Sequence, residues 1–366
     1  MKTPTSAVIW LFVLAACSCP VAAQSTPSEV TVSANDPRVE LIGRYDGRDL
    51  AHPRFGYPGS GFTVRFSGTA LNAEIISESD EAALTVVLDH DSPELRLLEK
   101  GSNDVALASN LPSGPHTVEV YKRTETWQGI VTLQRLRLPA SGDMLQPPAL
   151  PRRKLMFIGD SVTCGAGIEN TPECKADPQR PANDAYNAYG MLLGRRLDAQ
   201  SHLVCYGGRG LERDYRGFGE ADGVVNAPQF YRLAIASDDA KGRVPWDSSR
   251  WQPDAIIVSL GTNDFNLQKT KRLDEKRWVG QYVAFVRALK KEYRHSFILL
   301  TEGAIVTNPL LRQMVQETVA KVHDSKVKYV AAQHYPGLPC DAHPTRLEHV
   351  KIADDLEPVL RQTLGW

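Results

Sequence analysis

The hydrophobic pattern of this chain changes at residues 141–152, a stretch with three prolines, and this change constrains the fold more than any other feature. Before it, short runs rich in β-branched and aromatic residues, such as 62–66 and 116–121, are separated by Gly, Ser, Asn or Pro. No helical pattern interrupts them, so residues 36–140 are predicted to form an all-β, jelly-roll-like sandwich. Residues 24–35 are predicted to be a flexible lead-in, and residues 141–152 a stiff linker.

Residues 153–366 show continuous apolar runs that alternate with helical patterns. Such runs are typical of strands buried on both faces of a parallel sheet. The runs lie at 155–158, 202–206, 255–260, 297–301 and 327–332. Helices are predicted at 184–197, along the stripe 278–289, at 309–322 and at 347–364, the last bent or interrupted by Pro358. The predicted fold class is therefore α/β, a three-layer α/β/α domain with a parallel sheet, preceded by the sandwich.

Charge and export signals narrow the class of protein. The chain has 42 basic and 43 acidic residues, so it lacks the basic surplus that a general nucleic-acid binder needs. Its one long apolar run, 7–16, is too short to span a bilayer. The run follows Lys2 and precedes small residues, so residues 1–23 are predicted to be a signal peptide. Cleavage after Ala23 and a lipid anchor on Cys17 are both open, and either one exports the protein, as a secreted or periplasmic chain or as a lipoprotein.

Four cysteines follow the predicted signal peptide: Cys164, Cys174, Cys205 and Cys340. An exported chain can form disulfides, and four cysteines allow three full pairings, which the sequence leaves open. A bridge between Cys164 and Cys340 is one of them, because both residues flank polar motifs. No Cys/His spacing indicates zinc, so we predict no metal and no cofactor.

Short polar motifs follow the apolar runs, at the positions where open parallel sheets bind ligands. Gly-Asp-Ser-Val-Thr-Cys-Gly occupies 159–165, Gly-Gly-Arg-Gly occupies 207–210, and Gly-Thr-Asn-Asp occupies 261–264. Cys-Asp-Ala-His-Pro occupies 340–344, before the last predicted helix. Because the carboxyl ends of parallel strands share one edge of a sheet, these motifs are predicted to converge there. Their convergence, rather than any one of them, indicates an active site.

These motifs resemble those of the SGNH, or GDSL, hydrolases, whose four naming positions match Ser161, Gly208, Asn263 and His343. A narrower resemblance to carbohydrate esterase family 2 rests on the serine motif followed by Gly-Ile-Glu at 167–169, on Cys-Asp-Ala-His-Pro, and on the β-sandwich ahead of the hydrolase domain. That family removes acetyl groups from plant polysaccharides and oligosaccharides, mainly xylan and glucomannan. The resemblance implies a metal-independent serine esterase with an acetylated polysaccharide or oligosaccharide as its substrate.

Ser161 is the predicted nucleophile, and His343 is the predicted general base, since a serine hydroxyl is a poor nucleophile until a base takes its proton. Asp341 is the acid available to orient His343, at an offset that resembles family 2. Some members of that family use a backbone carbonyl instead, so the choice between triad and dyad stays open. His334 and His349 are the rival bases.

Oxyanion and sugar contacts are also predicted from the motifs. The backbone N–H groups of Ser161 and Gly208 and the side-chain amide of Asn263 are predicted to hold the oxyanion. Tyr206 and Phe265 are predicted to contact the sugar, because they adjoin the second and third motifs and a sugar ring needs a flat apolar platform.

Two other interpretations of function remain. The same catalytic residues serve other SGNH enzymes, namely lipases, thioesterases and deacetylases of cell-wall glycans, because function depends on the pocket as well as the fold. The chain could also be an inactive surface carbohydrate-binding protein, but the intact Ser161, Asn263 and His343 argue against this. Trp127 and Tyr335 are further loop aromatics, each better explained by packing than by sugar binding.

Overall fold

The computed structural model describes residues 29–172, 181–266 and 272–366. The predicted signal peptide, with Cys17, lies outside these ranges, and so does Cys174. Within the described ranges, no helix combines the length and the apolar character that crossing a membrane would require.

The N-terminal region is built from two antiparallel sheets. Its strands are β1 Glu29–Ser33, β2 Val39–Ile42, β3 Arg54–Phe55, β4 Gly61–Ser67, β5 Leu71–Ser77, β6 Ala83–Leu88, β7 Glu94–Leu97, β8 Gly101–Ala108, β9 Pro115–Lys122, β10 Val131–Pro139 and β11 Asp143–Leu145. One sheet has the order β1-β10-β5-β8 with β3 beside β10, and the other has the order β11-β4-β9-β6-β7 with β2 beside β4. The predicted all-β region is confirmed.

Alternating side chains of β10 show how the sandwich core forms. Val131 and Leu133 point inward, a bulge shifts the register after Leu133, and Leu136 and Leu138 then take the inward positions. They pack in one apolar cluster with side chains of the other sheet, such as Phe66. The bulge therefore keeps the hydrophobic face of β10 toward the core, although the apolar spacing in the sequence changes there.

Both ends of the sandwich extend beyond the predicted boundaries. β1 lies inside the predicted lead-in, residues 24–35, and pairs with β10 along its whole length. β11 lies inside the predicted linker, residues 141–152, and pairs with β4, burying Met144. Each strand buries a single side chain. β1, Glu-Val-Thr-Val-Ser, does alternate in sequence but is only five residues long, and β11 is too short, at three residues, to show a period of two.

The C-terminal region contains a five-stranded parallel sheet with the order β13-β12-β16-β17-β18. Its strands are β12 Arg153–Gly159, β13 Ala199–Cys205, β16 Ala255–Ser259, β17 Phe297–Thr301 and β18 Val327–Tyr329, and the short pair β14 Leu233–Ile235 and β15 Val244–Pro245 lies outside it. The helices are α1 Ser161–Cys164, α2 Tyr189–Leu197, α3 Ala227–Phe230, α4 Thr262–Phe265, α5 Glu275–Glu292, α6 Pro309–Val322 and α7 Arg346–Leu364.

Helices cover both faces of the parallel sheet. Met156 and Ile158 of β12 belong to an apolar cluster with α5 and α6, whereas Leu155 and Phe157 belong to a second cluster with α2 and α7. The predicted three-layer α/β/α domain is confirmed. Of the two predicted effects of Pro358, a bend or an interruption, the interruption does not occur. α7 continues through Pro358, which lies on the exposed side of the helix where water can satisfy the freed carbonyl.

A disulfide joins Cys164 at the end of α1 to Cys205 at the end of β13. β12 and β13 are paired neighbours, with Gly159 opposite Cys205, so the segments that leave them start side by side. The bridge considered between Cys164 and Cys340 is therefore wrong, and Cys340 is itself disulfide-bonded.

Candidate active site

The serine motif makes a sharp turn from β12 into α1. Asp160 caps α1 by accepting a hydrogen bond from the Val162 N–H at 3.1 Å, and Ser161 is the first residue of that helix. A Cβ atom at Gly159 would lie 2.0 Å from the Thr163 hydroxyl oxygen, so only glycine fits before the turn. The turn places Ser161 at the carboxyl edge of the sheet, directly after β12. The sheet extends from β12 to β13 on one side and to β16 on the other, and open α/β sheets bind ligands at such a position.

Ser161, His343 and Asp341 form a continuous hydrogen-bonded chain. His343 Nε2 lies 2.8 Å from Ser161 Oγ, and His343 Nδ1 lies 2.5 Å from Asp341 Oδ1. The second carboxylate oxygen of Asp341 accepts a hydrogen bond from the Asn170 side chain. A Cβ at Gly167 would lie 2.6 Å from His343 Cβ, so the serine loop packs closely against the histidine loop. This geometry can pass a proton from the serine to the imidazole while the carboxylate fixes the tautomer.

The rival histidines lie elsewhere. His349 is buried in α7, where its Nδ1 accepts a hydrogen bond from the Tyr189 N–H at 3.1 Å. Burial lowers the pKa of His349 to about 3, so this imidazole is neutral at physiological pH. His334 is exposed on the surface. Neither contacts Ser161 within the described residues, whereas His343 does.

Gly208 lies in the loop after β13 with φ of +74°, a left-handed conformation that glycine adopts most easily. A Cβ there would lie 2.8 Å from the Tyr215 ring. Within the described ranges, the backbone N–H groups of Ser161 and Gly208 donate to no protein acceptor. Both N–H groups are therefore available to a bound ligand, as an oxyanion hole requires.

Asn263 follows β16 at the start of α4 and connects the two loops on either side of it. Its side-chain amide donates to the Arg209 carbonyl at 2.9 Å and to Asp160 Oδ2 at 3.2 Å. Burial raises the pKa of the Asp160 carboxyl to about 6. Asn263 thus holds the serine loop and the Gly208 loop together. To bind Asn263, an oxyanion would have to share one of its two N–H groups with the present acceptor or replace that acceptor.

The two aromatic residues predicted to contact sugar are both buried, so neither ring offers an open face at the surface. Tyr206 is 7% exposed, between the Phe230 ring and the Arg209 guanidinium, and Phe265 is 5% exposed and packs edge-on against Trp278. Closeness to a motif in the sequence does not tell which side of a loop a ring occupies.

Other aromatic rings are open to solvent beside the site. Tyr215 is 50% exposed and lies against Gly208, and the Arg216 guanidinium lies over the rings of both Tyr215 and Phe218. Trp127 is 55% exposed and belongs to the turn after β9, in the sandwich. Trp127, Tyr215 and Phe218 share one weak signal in the sequence, as aromatic residues in loops, but that signal does not separate a ring open to solvent from a buried one.

The sandwich also supplies a charged group that sequence reasoning missed. Glu125 is 2% exposed, and its Oε2 accepts a hydrogen bond from the Gly207 N–H at 2.5 Å. Burial raises the pKa of the Glu125 carboxyl, while the Gly207 N–H lowers it. The sequence does carry a signal for Glu125, because the polar run 122–126 starts at the last residue of β9, a strand in which apolar residues otherwise alternate.

A serine, a histidine and an aspartate joined by hydrogen bonds at the carboxyl edge of a parallel sheet define the class of this protein, a serine ester hydrolase of the SGNH, or GDSL, type. Residues 157–362 match the GDSL-like lipase/acylhydrolase family, and residues 41–148 match the carbohydrate esterase 2 N-terminal family. The chain belongs to carbohydrate esterase family 2 and is a carboxylic ester hydrolase.

Relatives agree with this assignment over most of the chain. An acetylxylan esterase / glucomannan deacetylase of Cellvibrio japonicus (strain Ueda107) is 37% identical over 340 residues, which is 92% of each protein. The structure of a family two carbohydrate esterase from Cellvibrio japonicus has a TM-score of 0.86 at 37% identity, covering 93% of this chain and 99% of that one. A family two carbohydrate esterase from Clostridium thermocellum in complex with cellohexaose has a TM-score of 0.79 at 27% identity, covering 90% of this chain and 99% of that one.

Proposed function

We propose that this protein is an exported esterase that removes O-acetyl groups from plant polysaccharides or oligosaccharides, with acetylated xylan or glucomannan as the substrate. The observation that carries the proposal is the hydrogen-bonded chain from Asp341 through His343 to Ser161. The name of the relative that is 37% identical, an acetylxylan esterase / glucomannan deacetylase, supports the choice of substrate. The Cys164–Cys205 disulfide supports an oxidising compartment outside the cytoplasm.

In the first half of the reaction, Ser161 Oγ attacks the carbonyl carbon of the acetyl group while His343 Nε2 takes the hydroxyl proton. Asp341 holds the imidazole in the correct tautomer and stabilises the imidazolium that forms. When the tetrahedral intermediate collapses, the bond between the acetyl carbon and the sugar oxygen breaks. His343 then returns the proton to that oxygen, which leaves as the free hydroxyl of the sugar and an acetyl group on Ser161.

In the second half, water attacks the acetyl-enzyme. His343 takes a proton from the water, and the acetyl–Ser161 bond breaks to release acetate, with the proton returning to Ser161 Oγ. The oxyanion of both tetrahedral intermediates is held by the free N–H groups of Ser161 and Gly208. Asn263 adds a third donor when one of its N–H groups turns from its present acceptor to the oxyanion, and the longer bond, to Asp160, is the easier one to give up.

The sugar is proposed to lie against exposed aromatic rings around the catalytic serine. Tyr215 packs on the Gly208 loop, and Trp127 follows Glu125, whose carboxylate contacts that same loop. A half-exposed aromatic ring offers the flat apolar face that a sugar needs, beside polar groups that bind its hydroxyls. The Ser161–His343 pair is likewise only partly covered, with the His343 side chain 29% exposed.

The test is acetate release by the purified chain, with Ser161→Ala as the control. Acetylated xylan, acetylated glucomannan and a medium-chain nitrophenyl ester are compared side by side. We expect release from the polysaccharides that is absent in the Ser161→Ala variant. Hydrolysis of the longer ester alone would replace this proposal with a lipase-like function, and no hydrolysis of any substrate would point to a glycan deacetylase of another kind or a binding protein.

A further inference from the structure

Residues 122–126 form a buried polar segment of the sandwich, on the side that contacts the catalytic loops. All five of its side chains are buried, including Lys122, Arg123 and Glu125. Charged side chains are almost never fully buried unless they are paired. A run of this kind therefore has to be explained by the partners it meets.

Lys122 Nζ donates to the carbonyls of Thr124 and Glu125 within the segment, whereas the partners of Arg123 and Glu125 belong to the catalytic domain. Arg123 lies 3.1 Å from an oxygen of Asp184 and 3.7 Å from one of Glu169, the residue before Asn170. Asn170 in turn donates to Asp341. Arg123 thus contacts the residue next to Asn170, which holds Asp341, and Glu125 contacts the Gly207–Gly208 loop.

The contact between Glu125 and Gly207 is close and specific. Oε2 accepts the Gly207 N–H at 2.5 Å, and a Cβ at Gly207 would lie 2.7 Å from both carboxylate oxygens. The position of Glu125 is itself restrained, because its backbone N–H donates to the Gln128 side chain, which also accepts from Asn183. The carboxylate is therefore a fixed acceptor rather than a mobile surface group.

Fixing the Gly207 amide also restrains the next peptide unit. The carbonyl of Gly207 and the N–H of Gly208 belong to one planar unit, separated from the Gly207 N–H by only two backbone torsions. Glycine leaves these torsions free to vary unless contacts restrain them. An oxyanion donor must already point at the developing charge before reaction, because preorganisation is what makes it effective.

We propose that Glu125 is a positioning residue for the esterase reaction: from the sandwich domain, its carboxylate holds the Gly207 amide and so orients the Gly208 N–H toward the oxyanion. This inference rests on the proposed function. It also gives the sandwich a role in the chemical step. Burial raises the pKa of the Glu125 carboxyl, whereas the Gly207 N–H, the Trp127 side chain and the nearby His343 lower it, so the groups that surround the carboxylate favour its charged form against burial.

The experiment compares the full chain with Glu125→Ala, Glu125→Gln and the control Glu119→Gln. Glu119 lies in β9 of the same domain and accepts from the Tyr121 hydroxyl, away from the catalytic loops. Steady-state hydrolysis of nitrophenyl acetate gives kcat and KM, and thermal unfolding reports folding. Methylboronic acid probes the oxyanion hole: Ser161 Oγ bonds to the trigonal boron, its proton passes to His343, and the tetrahedral boronate places an oxygen where the oxyanion forms.

Because removing an oxyanion donor outright costs about 10²–10³ in kcat, misaligning one by Glu125→Ala is expected to lower kcat about 10- to 100-fold with KM nearly unchanged. The inhibition constant of methylboronic acid should rise by a similar factor. Glu125→Gln, which keeps one acceptor oxygen and the side-chain size, should lose less activity, and Glu119→Gln should match the unaltered chain in both measurements.

Other outcomes would overturn the inference. A kcat of Glu125→Ala equal to that of the unaltered chain would do so, and so would a fall in kcat with unchanged binding of methylboronic acid. If Glu125→Ala does not fold, Glu125→Gln decides by the same two measurements. An inactive unaltered chain would overturn the proposed function and this inference together, whereas an active chain that does not respond to Glu125 substitutions would overturn only the inference.

Discussion

The sandwich and the parallel-sheet domain both place ionisable side chains beside the active site, but they treat them differently. In the parallel-sheet domain, His343 and Asp341 remain 29% and 28% exposed, within reach of substrate and water. In the sandwich, Lys122, Arg123 and Glu125 are buried. Groups that exchange protons with a substrate need access, whereas groups that hold loops in place work best when water is excluded. Substitutions of His343 or Asp341 should therefore lower the rate with little change in stability. In the sandwich, substitutions of Lys122 or Arg123 should mainly change stability, whereas those of Glu125 should change the rate through the loop that it holds.

The largest effect is expected for His343→Ala. Without the base, Ser161 keeps its proton. The kcat should therefore fall on the order of 10⁶-fold, as it does when a serine protease loses its catalytic serine or histidine. The melting temperature should change little, because the side chain is only partly covered. The matched control is His334→Ala, an exposed histidine nearby in sequence, which should keep full activity. Comparable kcat values for the two variants would remove His343 from the mechanism.

A smaller loss, about 10⁴-fold in kcat, is expected for Asp341→Asn, because an amide can stabilise the wrong tautomer of the imidazole and cannot balance its charge. Asp355→Asn is the control, since Asp355 only accepts from Tyr335 on the exposed side of α7. Steady-state hydrolysis of nitrophenyl acetate measures both. A loss of only a few-fold in Asp341→Asn would show that a backbone carbonyl suffices, as in a catalytic dyad.

Arg123→Met sharpens the comparison from the side of the sandwich. Removing Arg123 takes one countercharge from the buried carboxylates of Asp184 and Glu169 and leaves them the half-exposed Arg346, so the free energy of unfolding should fall by about 3 kcal/mol. Arg135→Met, which breaks an exposed pair with Glu74 in the same sandwich, should cost at most about 1 kcal/mol. Denaturant titration of both variants measures the difference. Equal losses would mean that burial does not distinguish these two arginines.

The smallest effect concerns Lys122, whose pKa burial lowers to about 7. Below about pH 7 the lysine is charged in both the folded and the unfolded chain, and the folded chain carries the full cost of burying the charge. As the pH rises from about 7 to 10, the unfolded chain binds more protons than the folded one, so the stability of the unaltered chain rises.

Lys122→Met removes this dependence. The free energy of unfolding of Lys122→Met minus that of the unaltered chain should therefore fall by about 1–3 kcal/mol between about pH 7 and pH 10. Melting curves at several pH values measure it, with the exposed Lys100→Met as the control that shows no such trend. A constant difference across this range would mean that Lys122 titrates normally.

Regular elements with strong local signals could be predicted from the sequence. The helix predicted at 309–322 begins and ends where α6 does, because Asn308 caps it and Pro309 fits its first turn. The meeting of Ser161 with His343 could also be predicted, since parallel topology brings the ends of the strands to one edge. The helix predicted at 184–197 is shorter, α2 starting at Tyr189 after a separate turn at 185–187.

Contacts between the two regions could not be predicted. Glu125 and Gly207 are 82 residues apart in sequence, and nothing local to either residue specifies their hydrogen bond. It arises only when the sandwich docks on the catalytic domain. The buried positions of Tyr206 and Phe265 also depend on tertiary contacts, but within the parallel-sheet domain, where the rings pack against Phe230 of α3 and Trp278 of α5.

The Cys164–Cys205 disulfide has a consequence for the chain when it is not folded. Cys164 lies three residues after Ser161, and Cys205 lies three residues before Gly208. In a denatured but oxidised chain, Ser161 and Gly208 therefore remain connected through a few residues and the disulfide, although the two cysteines are separated by 41 positions in sequence. The entropy of bringing these two parts together is thus already lost before folding begins. An oxidised chain that unfolds keeps the serine loop and the Gly208 loop tethered, and a reduced chain must bring them together anew.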